Sequence, residues 1–148
     1  MDQTDYRILN LLQQDCRTTL KSIGDQVGLT APAVSERVRR MEEQGVIRGY
    51  RADVNREALH CGISGFVLVA LPPEKYDAFC EFCRENPAII SHYHVIGVFN
   101  ALLRFAVRGT RELDELLSSV KRYGDSQTSI ELRTYFETKE LPAQGTDE

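Results

Sequence analysis

The run Thr19-Leu20-Lys21-Ser22-Ile23-Gly24-Asp25-Gln26-Val27-Gly28-Leu29-Thr30-Ala31-Pro32-Ala33-Val34-Ser35-Glu36-Arg37-Val38-Arg39-Arg40-Met41-Glu42-Glu43-Gln44-Gly45 holds two helix starts, two glycine stops and two apolar stripes. Thr19 is placed to cap a short helix whose Leu20, Ile23 and Val27 recur at i, i+3 and i+7. Gly28 follows, where a glycine in the left-handed region ends a helix. After Leu29, Thr30 caps again, and Pro32 falls in the first turn, where a missing N–H does no harm. This next helix carries Val34, Val38 and Met41 on one stripe and runs to about Gln44 before Gly45 stops it. Upstream, Asp5 to Gln14 sets Ile8, Leu9, Leu11 and Leu12 at helical spacing, with Thr4 or Asp2 as cap, and Asp15-Cys16-Arg17 breaks the pattern. Two short helices joined by a tight glycine-containing turn, braced by a preceding helix, predict a helix-turn-helix over about residues 22–41.

The chemistry lies on the outer side of the third helix. With Val34, Val38 and Met41 inward, Pro32, Ser35, Glu36 and Arg39 face out, flanked by Ala33 and Arg40, while Arg37 lies nearer the core edge within reach of a phosphate. Such a helix suits the major groove of double-stranded DNA. Arginine forks onto guanine O6 and N7, and Ser35 and Thr30 reach bases or phosphates. Glu36 is expected to pair with Arg40 at i+4, or else to accept from cytosine N4. Thr18, Thr19, Lys21 and Ser22, near the start of the second helix, are expected to hold backbone phosphate. A solvated helix with ordinary charges is the alternative; the caps, the tight turn and the bracing helix weigh against it.

The overall charge of −4 does not exclude a polyanionic partner. Residues 1–60 hold nine basic and nine acidic side chains, so the acidic excess lies downstream. Arg37, Arg39, Arg40, Arg48 and Arg51 cluster against Glu42 and Glu43 alone, and a local patch decides binding to DNA. Hydrophobic and charged fractions of 42% and 27% are those of a soluble globular chain of one ordinary or two small domains. No apolar run is long enough for a membrane span, and the first residues lack the pattern of a signal peptide. Four cysteines do not suggest a disulfide scaffold, so a reducing cytoplasm is the expected location.

Beyond Gly45, residues 46–54 are expected to form an extended wing or linker strand, and Asn55 to His60 a brief helical turn. We place a domain boundary near residue 60, giving domains over 1–60 and 61–141 and a flexible tail over 142–148. The second domain reads β-α-β-β-α-β, the ferredoxin-like order, so the whole chain is of α+β class. Its strands are expected over Ile63–Leu71, Ile89–Ile96, Ala101–Arg108 and Thr128–Thr138, its helices over Glu74–Glu85 and from a Thr110 cap to Tyr123. The first strand is apolar on both faces: Ile63, Gly65, Val67, Val69 and Leu71 alternate with Ser64, Phe66, Leu68 and Ala70. Leu103 and Phe105 against Leu102, Ala106 and Val107 pose the same problem in a later strand. A ferredoxin-like sheet has helices on one face only, so another subunit is the expected cover. Cys80 and Cys83 fall with Tyr76 and Phe79 on one helical face and are expected to pack in the core. His92 and His94 flank Tyr93 and share one side of a strand. No catalytic constellation, metal set or cofactor motif is recognised.

The stretches Asp5-Tyr6-Arg7-Ile8-Leu9 through Arg17, and Ser22 through Thr30 to Glu36-Arg37-Val38-Arg39-Arg40-Met41-Glu42-Glu43-Gln44-Gly45-Val46-Ile47-Arg48-Gly49-Tyr50, resemble the Lrp/AsnC feast/famine family. The resemblance covers nearly the whole chain and is more specific before residue 60. It implies a C-terminal regulation-of-amino-acid-metabolism (RAM) domain, homodimers formed through it, octamers built from them, and response to an amino acid or other small effector. Arg48 belongs to the basic set that the DNA reading takes in. The family's Gly-x-x-Asp effector pattern is matched within Ile96-Gly97-Val98-Phe99-Asn100, with Gly97 in place and Asn100 where the family has aspartate. A neutral amide loses the charge pairing with an ammonium group, and the segment also reads as a plain hairpin turn. Two other readings follow: an architectural protein that wraps DNA without an effector, and an enzyme resembling sirohaem decarboxylases, with His92 or His94 on a tetrapyrrole.

Overall fold

The computed structural model describes residues 1–56 and 58–143, which divide into two compact units, Met1–Asp53 with Phe136–Glu148, and Val54–Tyr135. In the first unit α1 (Gln3–Gln14), α2 (Leu20–Val27) and α3 (Ala31–Glu43) surround a core of Ile8, Leu12, Ile23, Val34, Val38 and Met41. Leu9, Leu11, Val27, Leu29 and Ile47 close it at the edges. Asp2, rather than Thr4, caps α1. Its carboxylate accepts the Asp5 N–H, and the Asp5 carboxylate accepts the Asp2 N–H, both at 2.9 Å, so two otherwise orphaned donors are satisfied reciprocally. Thr19 and Thr30 cap α2 and α3, as their positions predict.

The α2–α3 turn depends on two glycines. Gly28 adopts φ 75°, the left-handed conformation that a side chain disfavours. Gly24 is needed for space, since a Cβ there would lie 2.4 Å from the Leu29 carbonyl oxygen, while the Leu29 N–H bonds back to the Gly24 carbonyl at 2.9 Å.

No strand forms over residues 46–54, contrary to expectation. The Val46 and Ile47 N–H groups fold back onto the Met41 carbonyl at 2.9 and 3.1 Å, and the Tyr50 hydroxyl donates to Glu42 at 2.9 Å. The segment spends its donors on the end of α3 and has no ladder partner within its unit. Around Asn55 to His60 the described residues form a turn, with the Leu59 and Cys61 N–H groups on the Arg56 carbonyl; Glu57 lies outside the described residues.

The second unit contains β1 (Ile63–Ala70), α4 (Tyr76–Glu85), β2 (Ile89–His94), β3 (Ala101–Val107), α5 (Thr110–Lys121) and β4 (Asp125–Ile130). The sheet order is β2-β3-β1-β4 with every pair antiparallel, the ferredoxin-like arrangement. Boundaries shift for local reasons. A short 3-10 turn, Pro73–Lys75, precedes α4. Gly109, not Thr110, stands at the start of α5, where Glu112 accepts the Arg108 N–H at 2.9 Å. β2 ends at His94 rather than Ile96.

The last strand lies earlier than Thr128–Thr138. Its pairs run from Ala70↔Asp125 to Gly65↔Ile130, and the Glu131 N–H reaches the Ser64 carbonyl at 2.8 Å. There β1 has all but run out, so the apolar alternation after residue 131 finds no ladder partner.

One face of the sheet is packed. Val67, Val69, Leu103, Phe105 and Val107 lie beneath Phe79, Cys83, Leu116 and Val120. Val107 therefore belongs with Leu103 and Phe105, not with Leu102 and Ala106, because strict alternation along β3 puts 101, 103, 105 and 107 on the buried side. The other face presents Phe66, Leu68, Ala70, Leu102 and Ala106 without a covering helix, and Phe66 remains 38% exposed. Cys83 is buried, which together with Cys80 pushes its thiol up to about 12, and Cys80 is half-buried. His92 and His94 share one side of β2, as expected, and the structure makes it the helix side. The His92 ring meets Phe79 edge-on at 5.4 Å, and His94 Nδ1 is 2.6 Å from the Tyr76 hydroxyl. Among the described residues no helix is long and apolar enough to cross a membrane, and no group of three His, Cys, Asp or Glu residues is placed to hold a metal ion.

The Gly24→Ala variant should lose about 3 kcal/mol of stability, as overpacking against backbone does. Urea unfolding followed by circular dichroism measures it, and an unchanged midpoint would contradict the close approach to Leu29.

Candidate nucleic-acid interface

The outward side of α3 begins at the Thr30 cap. Thr30 Oγ1 accepts the Ala33 N–H at 3.4 Å, and Thr19 Oγ1 accepts the Ser22 N–H at 3.2 Å. Each hydroxyl hydrogen remains a donor available to a phosphate oxygen. Thr30, Pro32, Ser35, Glu36, Arg39 and Arg40 are exposed along α3, as are Thr19, Lys21 and Ser22 at the start of α2 and Arg48 beyond α3. Thr18 is half-buried. The expected site residues on α2 and α3 thus occupy the starts of two adjacent helices and one helical face.

The arginines of that face are not equivalent. Arg37 donates through Nη1 to Asp2 and to Asp5, both at 2.7 Å. Arg40 donates through Nη2 to both Asp5 oxygens at 3.1 and 2.9 Å. The Asp5 side chain is 1% exposed, so a buried carboxylate on α1 receives two guanidinium groups from α3 and one backbone N–H. Burial alone would favour the neutral acid, but the Asp2 backbone N–H and Arg37 outweigh it and hold the Asp5 carboxyl below its usual range. Arg37 and Arg40 are thereby committed to fixing α3 on α1. Their assignment as DNA contacts competes with that role.

Arg39 stands differently. Its Nε and Nη2 form a fork on Glu36 at 3.0 and 2.6 Å, and Nη1 meets Glu43. Glu36 therefore pairs with Arg39 at i+3 rather than with Arg40 at i+4, because the Arg40 head is turned to Asp5. The Arg39 hydrogen bonds lower the Glu36 pKa and keep it charged. Both partners are more than half exposed, so these pairs are weak and readily exchanged for a ligand. Asp2 and Asp5 were missed as determinants of this face. Their signal was present as acidic residues at i and i+3 opening α1, opposite arginines at i and i+3 on α3.

The expected effector segment has a different character. Ile96 and Val98 are exposed, and Gly97 has φ 155°. The Asn100 amide is engaged on both sides: Oδ1 accepts the Leu71 N–H at 2.8 Å and Nδ2 donates to the Leu71 carbonyl at 2.9 Å. Asn100 N–H also bonds the Val69 carbonyl at 3.0 Å. The side chain locks the end of β1 to the β2–β3 hairpin, a double contact that aspartate, which has no donor when ionised, would not make.

Replacing Asp5 by Ala should cost about 3 kcal/mol, a buried ion pair losing its anion, reduced somewhat by the partial exposure of both arginines. Because the native pKa is depressed, this contribution is complete at neutral pH. It disappears as pH falls from about 4, the ordinary carboxylate value, through the native one. Wild-type stability should therefore fall more steeply in acid than that of the variant. Parallel acid profiles would contradict the anchoring role.

Two family models match the chain. The AsnC-type helix-turn-helix domain covers residues 1–42, and the Lrp/AsnC ligand binding domain covers residues 64–141. The HTH-type transcriptional regulator FL11 of Pyrococcus horikoshii is 30% identical over 145 residues, 96% of each chain. The DNA-binding transcriptional activator DecR of Escherichia coli K12 is 28% identical over 97% of this chain and 99% of its own. Among solved structures, the Mycobacterium tuberculosis leucine response regulatory protein LrpA superposes with a TM-score of 0.80 at 28% identity, over 95% of this chain and 99% of that one. A Neisseria meningitidis transcriptional regulator solved with L-Met superposes at 0.88 over 96% of both chains, and at 24% identity that likeness concerns the fold alone. These relatives are regulators, not enzymes, and both His92 and His94 pack against α4 residues. The chain belongs to the Lrp/AsnC family of helix-turn-helix transcriptional regulators.

Proposed function

We propose that this protein is a homo-oligomeric, sequence-specific regulator that sets α3 into the major groove of double-stranded DNA. The observation that carries the reading is the outward side of α3. It is free of the unit's own core, opens on a capped N-terminus, and carries an arginine, Arg39, held by exposed carboxylates that DNA can displace. Base contacts fall to Pro32, Ser35, Glu36 and Arg39. Thr18, Thr19, Lys21, Ser22, Thr30 and Arg48 fit the phosphates, and Arg37 and Arg40 aim the helix. A second copy fits the open sheet face of Phe66, Leu68, Ala70, Leu102 and Ala106, and symmetric pairing would present two α3 helices to two half-sites. Octamers of such dimers, a working domain boundary near residue 60 and action on the bacterial or archaeal nucleoid in the cytoplasm complete the reading.

Footprinting on DNA upstream of the chain's own gene tests it. Arg39→Ala should weaken binding by at least about tenfold with an unchanged melting temperature. Arg40→Ala should lower the melting temperature as well, because it takes from the buried Asp5 carboxylate one of its two guanidinium partners. An unaltered footprint in Arg39→Ala would refute the groove assignment.

Control by an amino acid bound near Ile96, Gly97, Val98, Phe99 and Asn100 is the finer reading, and the match of residues 64–141 to the Lrp/AsnC ligand binding domain supports it. The engaged Asn100 amide favours the alternative, a DNA-wrapping architectural protein with no such effector. Thermal denaturation with each free amino acid separates them. Ligand at a hundred times its Kd should stabilise by about 2.7 kcal/mol, whereas no shift with any of them supports the architectural role.

A further inference from the structure

The chain joins its two units twice. It passes into the second unit after Asp53 and returns to the first at Phe136. Among its described residues, the returning segment is hydrogen-bonded to two side chains of α1. Asn10 Nδ2 donates to the Ala143 carbonyl at 3.1 Å, and Asn10 Oδ1 accepts the Ala143 N–H at 2.9 Å. One turn along α1, Gln13 Nε2 donates to the Leu141 carbonyl at 2.8 Å, and Gln13 Oε1 accepts the Leu141 N–H at 2.9 Å. Asn10 and Gln13 lie at i and i+3 on one helix face, while Leu141 and Ala143 are alternate residues of the returning segment. Each carboxamide presents one donor and one acceptor side by side, so each closes a two-bond ring on a single residue's backbone, as a neighbouring β-strand would.

Pro142 occupies the intervening position, where no N–H is required, and it disfavours helix at Leu141. The Leu141 side chain is 79% exposed, so the attachment is made by backbone and not by a buried anchor.

We propose that Asn10 and Gln13 form a backbone-reading dock on α1 for the chain's own residues 141–143, and that this dock is a second tether holding the DNA-binding unit. Held by one linker, a helix-turn-helix samples a wide range of orientations. Held at two points, it is restricted, and the spacing at which paired recognition helices meet two half-sites is narrowed. Residues 142–143 are then a working part of the DNA-binding unit; residues 144–148 of the expected flexible tail lie outside the described residues. The effect on DNA rests on the reading of α3 above, whereas the dock itself does not.

The test uses full-length protein and two readouts. Ala143→Pro and Leu141→Pro each remove a docked N–H without touching α1, and Pro142→Ala keeps both. In the wild type, amide hydrogen exchange at Leu141 and Ala143 should be slowed about tenfold or more relative to an unstructured peptide. That protection should survive in Pro142→Ala, vanish at Leu141 in Ala143→Pro, and be independent of protein concentration. Exchange at the free-peptide rate in the wild type would overturn the dock. Protection that falls on dilution would overturn the in-chain assignment, the occupant then being a second copy. On DNA carrying two half-sites at varied spacing, Ala143→Pro should flatten the spacing preference while single-site affinity is unchanged. An unchanged preference would overturn the tether. Failure of the wild type to bind any DNA, with exchange protection intact, would remove the reading of α3 and leave the dock standing.

Discussion

A single buried carboxylate sets the geometry of the DNA-binding unit. Asp5 is enclosed at the start of α1 and accepts from Arg37, Arg40 and the Asp2 backbone. A charge in that position is tolerated only because its acceptors are filled, and filling them requires α3 to lie at one height and one rotation against α1. The hydrophobic stripe of Val34, Val38 and Met41 brings the helices together, but apolar contact is adaptable and does not by itself choose a register. The ion pairs choose it. Two of the helix's three arginines are spent on the choice, which leaves Arg39 as the arginine whose partners are surface carboxylates.

The same separation of positioning from contact recurs in the second unit. Asn100 locks the β2–β3 hairpin to the end of β1 through both edges of its amide, so a residue expected to face an effector serves the sheet. On that sheet the helix side is filled by Phe79, Cys83, Leu116 and Val120, and the opposite side is left apolar and open. Arg104 and Glu131 pair at 3.3 Å, and the Arg104 guanidinium lies 5.6 Å from the centre of the Phe66 ring. A charged pair beside an apolar surface restricts how another surface can be laid on it.

Much of the architecture was legible because it rests on local chemistry. Thr19, Thr30, Gly28 and Pro32 announce the ends of α2 and α3 through rules that act within a turn of helix. The alternation of β1 announces a strand apolar on both faces, since successive side chains must point to opposite sides. The βαββαβ order follows from such signals in series. What failed was whatever depended on a distant partner. The segment 46–54 reads as a strand by composition but has no ladder partner within its unit. The alternation after residue 131 reads as a strand yet finds β1 already near its end. Val107 was placed on the wrong face because a strand's phase cannot be set until one residue is known to be buried.

Sequence alone determined the helix-turn-helix, the ferredoxin-like order and the face of α3 that looks outward, because capping, glycine conformation and hydrophobic period operate over a few residues. Tertiary structure alone decided which arginines of that face are held by a buried carboxylate, what Asn100 holds, and where residues 141–143 attach. Each of those outcomes depends on a group far away in the chain, Asp5 for Arg37 and Arg40, Leu71 for Asn100, Asn10 and Gln13 for the last described residues. A side chain's spare hydrogen bonds and charge can be counted from its identity, but their use is settled only when folding brings a partner within about 3 Å.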